Sequence, residues 1–166
     1  MISDSTYHDV WDGLLEVSRY RRYYQLCERK YRRLASVFRF ALAISVIGVL
    51  ASLLEIFEFF SINTISLFGI LISVLIALDL IINPSKNAAQ LIVVNSMLSD
   101  LENQYRKLWE ESKAQLIADN IALTKKSQIM QEIDRVCSFV DLPVSDKLNE
   151  KAQLEAFQTE EARYAG

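Results

Sequence analysis

The sequence predicts an all-α membrane protein: a two-helix transmembrane hairpin with long cytoplasmic helices, assembled as an oligomer. Three observations predict it. A charge-free run extends from Phe59 to Leu78, matching the roughly 20 apolar residues that a helix needs to cross a hydrocarbon core. A second apolar run, Phe40 to Leu54, lengthens to Leu34–Phe57 when Arg39 snorkels and Glu55 lies among headgroups. Only four glycines and two prolines occur in 166 residues, and β-branched residues cluster in the two runs, so helix is the expectation elsewhere.

Element by element, residues 1–33 form a cytoplasmic N-terminal helix, 34–83 the hairpin and 84–166 a cytoplasmic helical region. Spacings of 3 and 4 run from Val10 through Val17, Tyr20, Tyr24, Cys27, Tyr31, Leu34 and Phe38, then through Ala41, Ser45, Gly48 and Ser52. No proline interrupts them, so the first helix continues into the first span and is about 65 Å long. About ten residues, Glu55 to Thr64, turn the chain. The second span ends at Asn83-Pro84, where asparagine can cap a new helix and proline suits its first turn.

Beyond it, Leu91, Val94, Leu98, Leu101, Tyr105 and Leu108 make a seam for the tyrosine stripe of the first helix or for another subunit. Trp109 to Val140 is expected to continue as helix, with Ile129, Ile133, Val136 and Val140 on one face, until Leu142-Pro143 stops it. Ser145 can cap a last polar helix from Asp146 to about Ala162.

Charge gives the orientation. Eight basic residues lie between Arg19 and Arg39 with Glu28 as the only acid, whereas the connecting loop holds Glu55 and Glu58 and no Lys or Arg. The positive-inside rule then places both termini in the cytoplasm and the loop outside. Residues 1–18 carry four acids and no early apolar segment, so a cleaved signal peptide is not expected. The net charge is +3 over residues 1–39 and −3 over 84–166. A basic collar beside a span suits anionic lipid headgroups and needs no duplex nucleic acid. Cys27 and Cys137 match no metal motif and read as buried thiols.

Catalysis has little to work with: His8 is the only histidine, and no phosphate-binding glycine loop, metal-ligand cluster or nucleophile pattern occurs. An enzyme is not expected, nor any cofactor or metal. The spans are more informative. Ala41, Ser45, Gly48 and Ser52 line one face of the first, and Ser66, Gly69, Ser73 and Ala77 one face of the second. Such stripes serve close helix packing or the lining of a pore once several hairpins assemble. The first-helix stripe continues the cytoplasmic seam and is therefore expected to face the oligomer axis. Arg39 and Asp79 lie at similar depth, so they can form an intramembrane ion pair or a charged gate at the inner mouth. Glu55 and Glu58, one turn apart, would form a negative outer vestibule in a ring of subunits.

The Arg/Tyr-rich segment, Arg19-Tyr20-Arg21-Arg22-Tyr23-Tyr24 and then Arg29-Lys30-Tyr31-Arg32-Arg33, enters a two-span hairpin that a cytoplasmic helix follows. Over roughly residues 8–140 this architecture resembles the SLATT family (SMODS- and SLOG-associating two-transmembrane effector domains) of bacterial antiviral systems. The resemblance implies a homo-oligomeric pore or ion channel of the bacterial inner membrane, gated by a nucleotide or oligonucleotide signal from a partner nucleotidyltransferase. It transfers no ligand motif. Arg29, Arg32, Arg33, Arg106 and Lys107 are signal-binding candidates because their side chains suit phosphate. Two other readings remain: a membrane-anchored adaptor that recruits a soluble partner through its cytoplasmic helices, and a small transporter subunit, disfavoured because the spans lack midplane polar or broken-helix features.

Overall fold

The structure is a computed structural model that describes residues 3–53 and 62–164, with side chains described outside 51–53 and 62–66. Among the described residues the protein is all-α, with five helices and no strand: α1 Asp4–Leu53, α2 Ile62–Ile82, α3 Pro84–Lys113, α4 Asp119–Cys137 and α5 Asp146–Tyr164. Two of its helices are long and apolar enough to cross a membrane by length and composition. The chain divides into two compact units. One comprises Met1–Glu28 with Ala89–Gly166, the other Arg29–Ala88. The regions 1–33 and 84–166 expected from the sequence thus share one unit except for 29–33 and 84–88, which belong to the other, and α1 and α3 each contribute residues to both.

Helix starts and stops follow local chemistry. Ser3 caps α1, its Oγ accepting the Thr6 N–H at 3.3 Å, which satisfies one of the donors left over in a first turn. As the sequence predicts, α1 runs without interruption from the tyrosine-arginine segment into the first apolar run. Asn83 adopts a left-handed conformation, φ 46°, closing α2 before Pro84 opens α3. Asn87 Nδ2 donates to the Ile82 carbonyl at 2.9 Å, so the chain end of α2 is satisfied from the next helix.

The expected helix from Trp109 to Val140 is instead two helices. α3 ends at Lys113, and Gln115 takes a left-handed φ of 53°. The Gln115 N–H bonds the Ser112 carbonyl and the Leu116 N–H the Glu111 carbonyl, each at 3.0 Å. That paired closure is a Schellman motif. Neither glycine nor proline marks the break, so hydrophobic spacing alone predicts a continuous helix there. The break lets α4 return along α1: Lys126 Nζ pairs with Asp9 at 2.5 Å, and Asp119 Oδ1 accepts the Ser3 N–H at 2.9 Å.

The core of the first unit joins four helices. The α3 seam of Leu91, Val94, Leu98, Leu101, Tyr105 and Leu108 is buried within the chain, facing Val10, Leu14, Val17, Tyr24 and Cys27 of α1. Tyr20 lies at the edge of that stripe because Leu14 and Ser18 continue the buried face at helical spacing. From α4 come Ile129, Ile133 and Val136, from the segment after it Val140, and from α5 Ala152 and Ala156. Cys27 is buried and Cys137 half-buried, and neither forms a disulfide.

Candidate functional site

The unit Arg29–Ala88 contains the hairpin. On α1, Phe38 and Ser45 are buried, Ser45 to 1% exposure. The α2 residues that turn inward are the bulky ones: Phe68, Ile72, Leu75, Asp79 and Ile82 are half-buried at spacings of 4 and 3. A methyl group added at Gly48 would sit 3.1 Å from the Phe68 ring. Large side chains of α2 therefore fill hollows left by small residues of α1, which brings the backbones close.

The small residues of α2 face the other way. Gly69, Ser73 and Ala77 are exposed, and nothing lies within 4 Å of a methyl group built on Gly69. The α1 stripe expected at an oligomer axis is thus the hairpin's own seam, and the open stripe belongs to α2. Ser45 and Ser73 each donate to the carbonyl four residues back, Ala41 at 2.8 Å and Gly69 at 2.9 Å, so neither hydroxyl depends on a distant partner in an apolar setting. Val37, Phe40, Ile44, Ile47, Leu67, Ile70, Leu71, Val74, Leu80 and Ile81 surround these faces with exposed apolar side chains.

Arg39 and Asp79 do not pair. Arg39 Nη2 donates to Ser85 Oγ at 3.2 Å, a short reach for a side chain one helix across, and Asp79 has no ion-pair partner among the described residues. Glu55 and Glu58, and the side chains of Ser52 and Ser66, lie outside the described residues. Arg29, Arg32 and Arg33 are exposed on α1.

In the other unit the structure places a cluster of charges inside the bundle. Glu102 is 2% and Glu160 1% exposed. Arg106 Nη2 donates to Oε1 of both, at 2.6 Å each. Arg21 Nη1 bonds Glu102 Oε2. Ser18 Oγ lies 3.0 Å from Glu102 and 3.2 Å from Glu160, its single proton serving one at a time. Two carboxylates and two guanidiniums thus neutralise one another where α1, α3 and α5 meet, and Arg163 stands 3.8 Å from Glu160 Oε2 at the rim. Burial opposes the Arg106 charge, but the hydrogen bond to Glu160 and the charges of Glu102 and Glu160 outweigh it and raise its pKa. Arg106 is therefore committed to structure and is not available to a phosphate as the sequence suggested. Lys107 is exposed, on a groove of about 310 Å³ shared with Lys125, Gln128 and Glu132.

Sequence reasoning missed this cluster. Its one signal is the pair Glu102–Arg106 at i,i+4, where Glu102 borders the α3 seam; Ser18, Arg21 and Glu160 carry no pattern that links them along the chain. Also missed is an aromatic group built from Tyr7 and Trp11 of α1, Trp109 of α3 and Tyr164 of α5. The Trp109 ring lies 4.4 Å from Tyr7, 5.0 Å from Trp11 and 6.1 Å from Tyr164, centroid to centroid.

No family model matches the chain, and neither a curated protein nor a solved structure matches it.

Proposed function

We propose that the chain is the membrane effector of a bacterial antiviral defence system, an inner-membrane homo-oligomer that forms a pore or ion channel and is gated by a nucleotide-derived signal from a partner synthase. The observation that carries the pore reading is the open α2 face of Gly69, Ser73 and Ala77 beside a wholly apolar surround. One hairpin encloses no channel, since two helices cannot surround a lumen. A small-residue face that the chain's own packing leaves uncovered suits contact between copies or the wall of a lumen between them. The defence setting and the signal rest on the resemblance of the tyrosine-arginine segment and hairpin to SLATT effectors. In this reading both termini are cytoplasmic, on the excess of Lys and Arg before Phe40.

The test is single-channel recording from the purified chain in planar bilayers. Discrete conductance steps that change in amplitude with Ser73→Leu support a pore lined or bounded by α2. Silence from a folded, inserted oligomer, with candidate nucleotides on the cytoplasmic side, would favour the membrane-anchored adaptor instead. That second reading draws on one observation of its own: α1 and α5 bound a groove of about 490 Å³ in which Leu154 and Phe157 are exposed beside Asp12, Glu16 and Glu150.

A further inference from the structure

The aromatic group of α1, α3 and α5 opens at the surface as a cavity of about 350 Å³, lined by Tyr7, His8, Trp11, Trp109, Lys113, Glu161 and Tyr164. All seven residues belong to the unit of Met1–Glu28 with Ala89–Gly166. Trp109 forms the floor at 3% exposure, the half-buried rings of Tyr7, Trp11 and Tyr164 form the walls, and His8, Lys113 and Glu161 stand exposed at the lip.

Three properties restrict what such a cavity takes. Its walls are ring faces and edges, which favour a flat ligand through stacking and edge-to-face contact. The Lys113 ammonium lies 5.9 Å from the centroid of the Tyr164 ring, so the position a ligand cation would take over that ring is already filled, and the lip offers an ammonium to an anion. Finally, the volume falls at the small end of the range for ligand pockets, enough for one heterocycle with its sugar.

From these we infer that the cavity is a binding site for a flat nitrogen heterocycle bearing phosphate, of the size of a single nucleotide. The ring lies among Tyr7, Trp11 and Tyr164 over Trp109, the phosphate meets Lys113, and Glu161 accepts from an exocyclic amino group. A free mononucleotide and one base of a larger cyclic nucleotide share this chemistry. The link from occupancy to channel opening rests on the function proposed above; the site itself does not.

The chain has two tryptophans, and both, Trp11 and Trp109, line this cavity. Intrinsic fluorescence of the full-length protein in detergent, excited at the red edge of the indole band where bases absorb little, therefore reports on this place and no other. AMP, GMP, UMP, adenosine, inorganic phosphate and a cyclic dinucleotide serve as probes. Saturable quenching by a mononucleotide is expected, weakened about tenfold by Lys113→Gln while the response to adenosine is unchanged. Quenching by the cyclic dinucleotide alone, with the same dependence on Lys113, supports the site as the seat of one base of a larger signal. Absence of quenching by every nucleotide at millimolar concentration overturns the inference, as does a nucleotide response that Lys113→Gln leaves untouched. Bilayer currents separate the two proposals: binding without any change in conductance sinks the gating function and keeps the site, whereas nucleotide-gated current without quenching does the reverse.

Discussion

Gly13 and Tyr105 illustrate how closely α1 and α3 approach. A methyl group at Gly13 would fall 1.9 Å from the Tyr105 hydroxyl oxygen, and Tyr105 is fully buried with that hydroxyl unpartnered. Gly13→Ala should therefore destabilise the protein by about 1–3 kcal/mol, the usual range for overpacking. Tyr105→Phe removes an unsatisfied polar atom and should be neutral or stabilising, by up to about 1 kcal/mol; urea midpoints read both. The Glu102 carboxylate behaves oppositely, because two arginines depend on it. Glu102→Ala should cost about 3–5 kcal/mol, the range for removing one member of a buried ion pair, and a midpoint shift near zero would show the cluster to be solvated. The tyrosines also set an alkaline limit. Burial raises the phenol of Tyr24, with the Cys137 contact adding to it, and raises that of Tyr105. A pKa raised on folding means that the full stability is present below the ordinary tyrosine value near 10 and is lost as pH climbs above it. Unfolding followed from pH 8 to 11.5 should show stability falling only at the alkaline end, and the Tyr24→Phe, Tyr105→Phe double variant should flatten the fall.

At the scale of elements, the two helix ends closed by left-handed residues differ in how visible they are. Asn83 precedes a proline, so the end of α2 could be read directly. Gln115 has no such neighbour, and its φ of 53° is one that residues with a Cβ adopt at a cost of roughly 1–2 kcal/mol. Gln115→Gly should recover about 1 kcal/mol and raise the melting temperature, while Gln115→Val should lower it. A Gly variant that melts below the parent would count against the Schellman closure. The same contrast explains what was legible elsewhere. Periodicity found α1 whole, the α3 seam and the inner face of α4, since each buries a continuous stripe. It missed that α5, whose composition reads as polar, turns Ala152, Ala156 and Glu160 inward, because a buried carboxylate is acceptable only beside Arg106, which lies 54 residues away in sequence. The aromatic cavity was invisible for the same reason. Tyr7 and Trp11 are one turn apart and readable as a pair, but Trp109 joins them only because α3 packs along α1, and Tyr164 only because α5 does.

For the molecule as a whole, the decisive asymmetry is between the two glycines of the hairpin. Gly48 is packed against Phe68, whereas Gly69 has open space where a side chain would go. A leucine at Gly48 must displace an aromatic ring that sits between α1 and α2, so Gly48→Leu should disturb the single chain, seen as lost helicity or a lower melting temperature in detergent. A leucine at Gly69 meets nothing within its own chain, so Gly69→Leu should leave helicity and melting unchanged. If copies assemble through α2, that same leucine lies between helices whose close approach needs small residues, and the oligomer seen by mass photometry or crosslinking in lipid should dissociate toward smaller species, with channel current lost in parallel. The pairing of the variants distinguishes assembly from folding: a Gly69→Leu protein that is folded, fully oligomeric and conducting would exclude the α2 face from the interface and the lumen, and would leave the other exposed apolar faces of the hairpin as the place where copies meet.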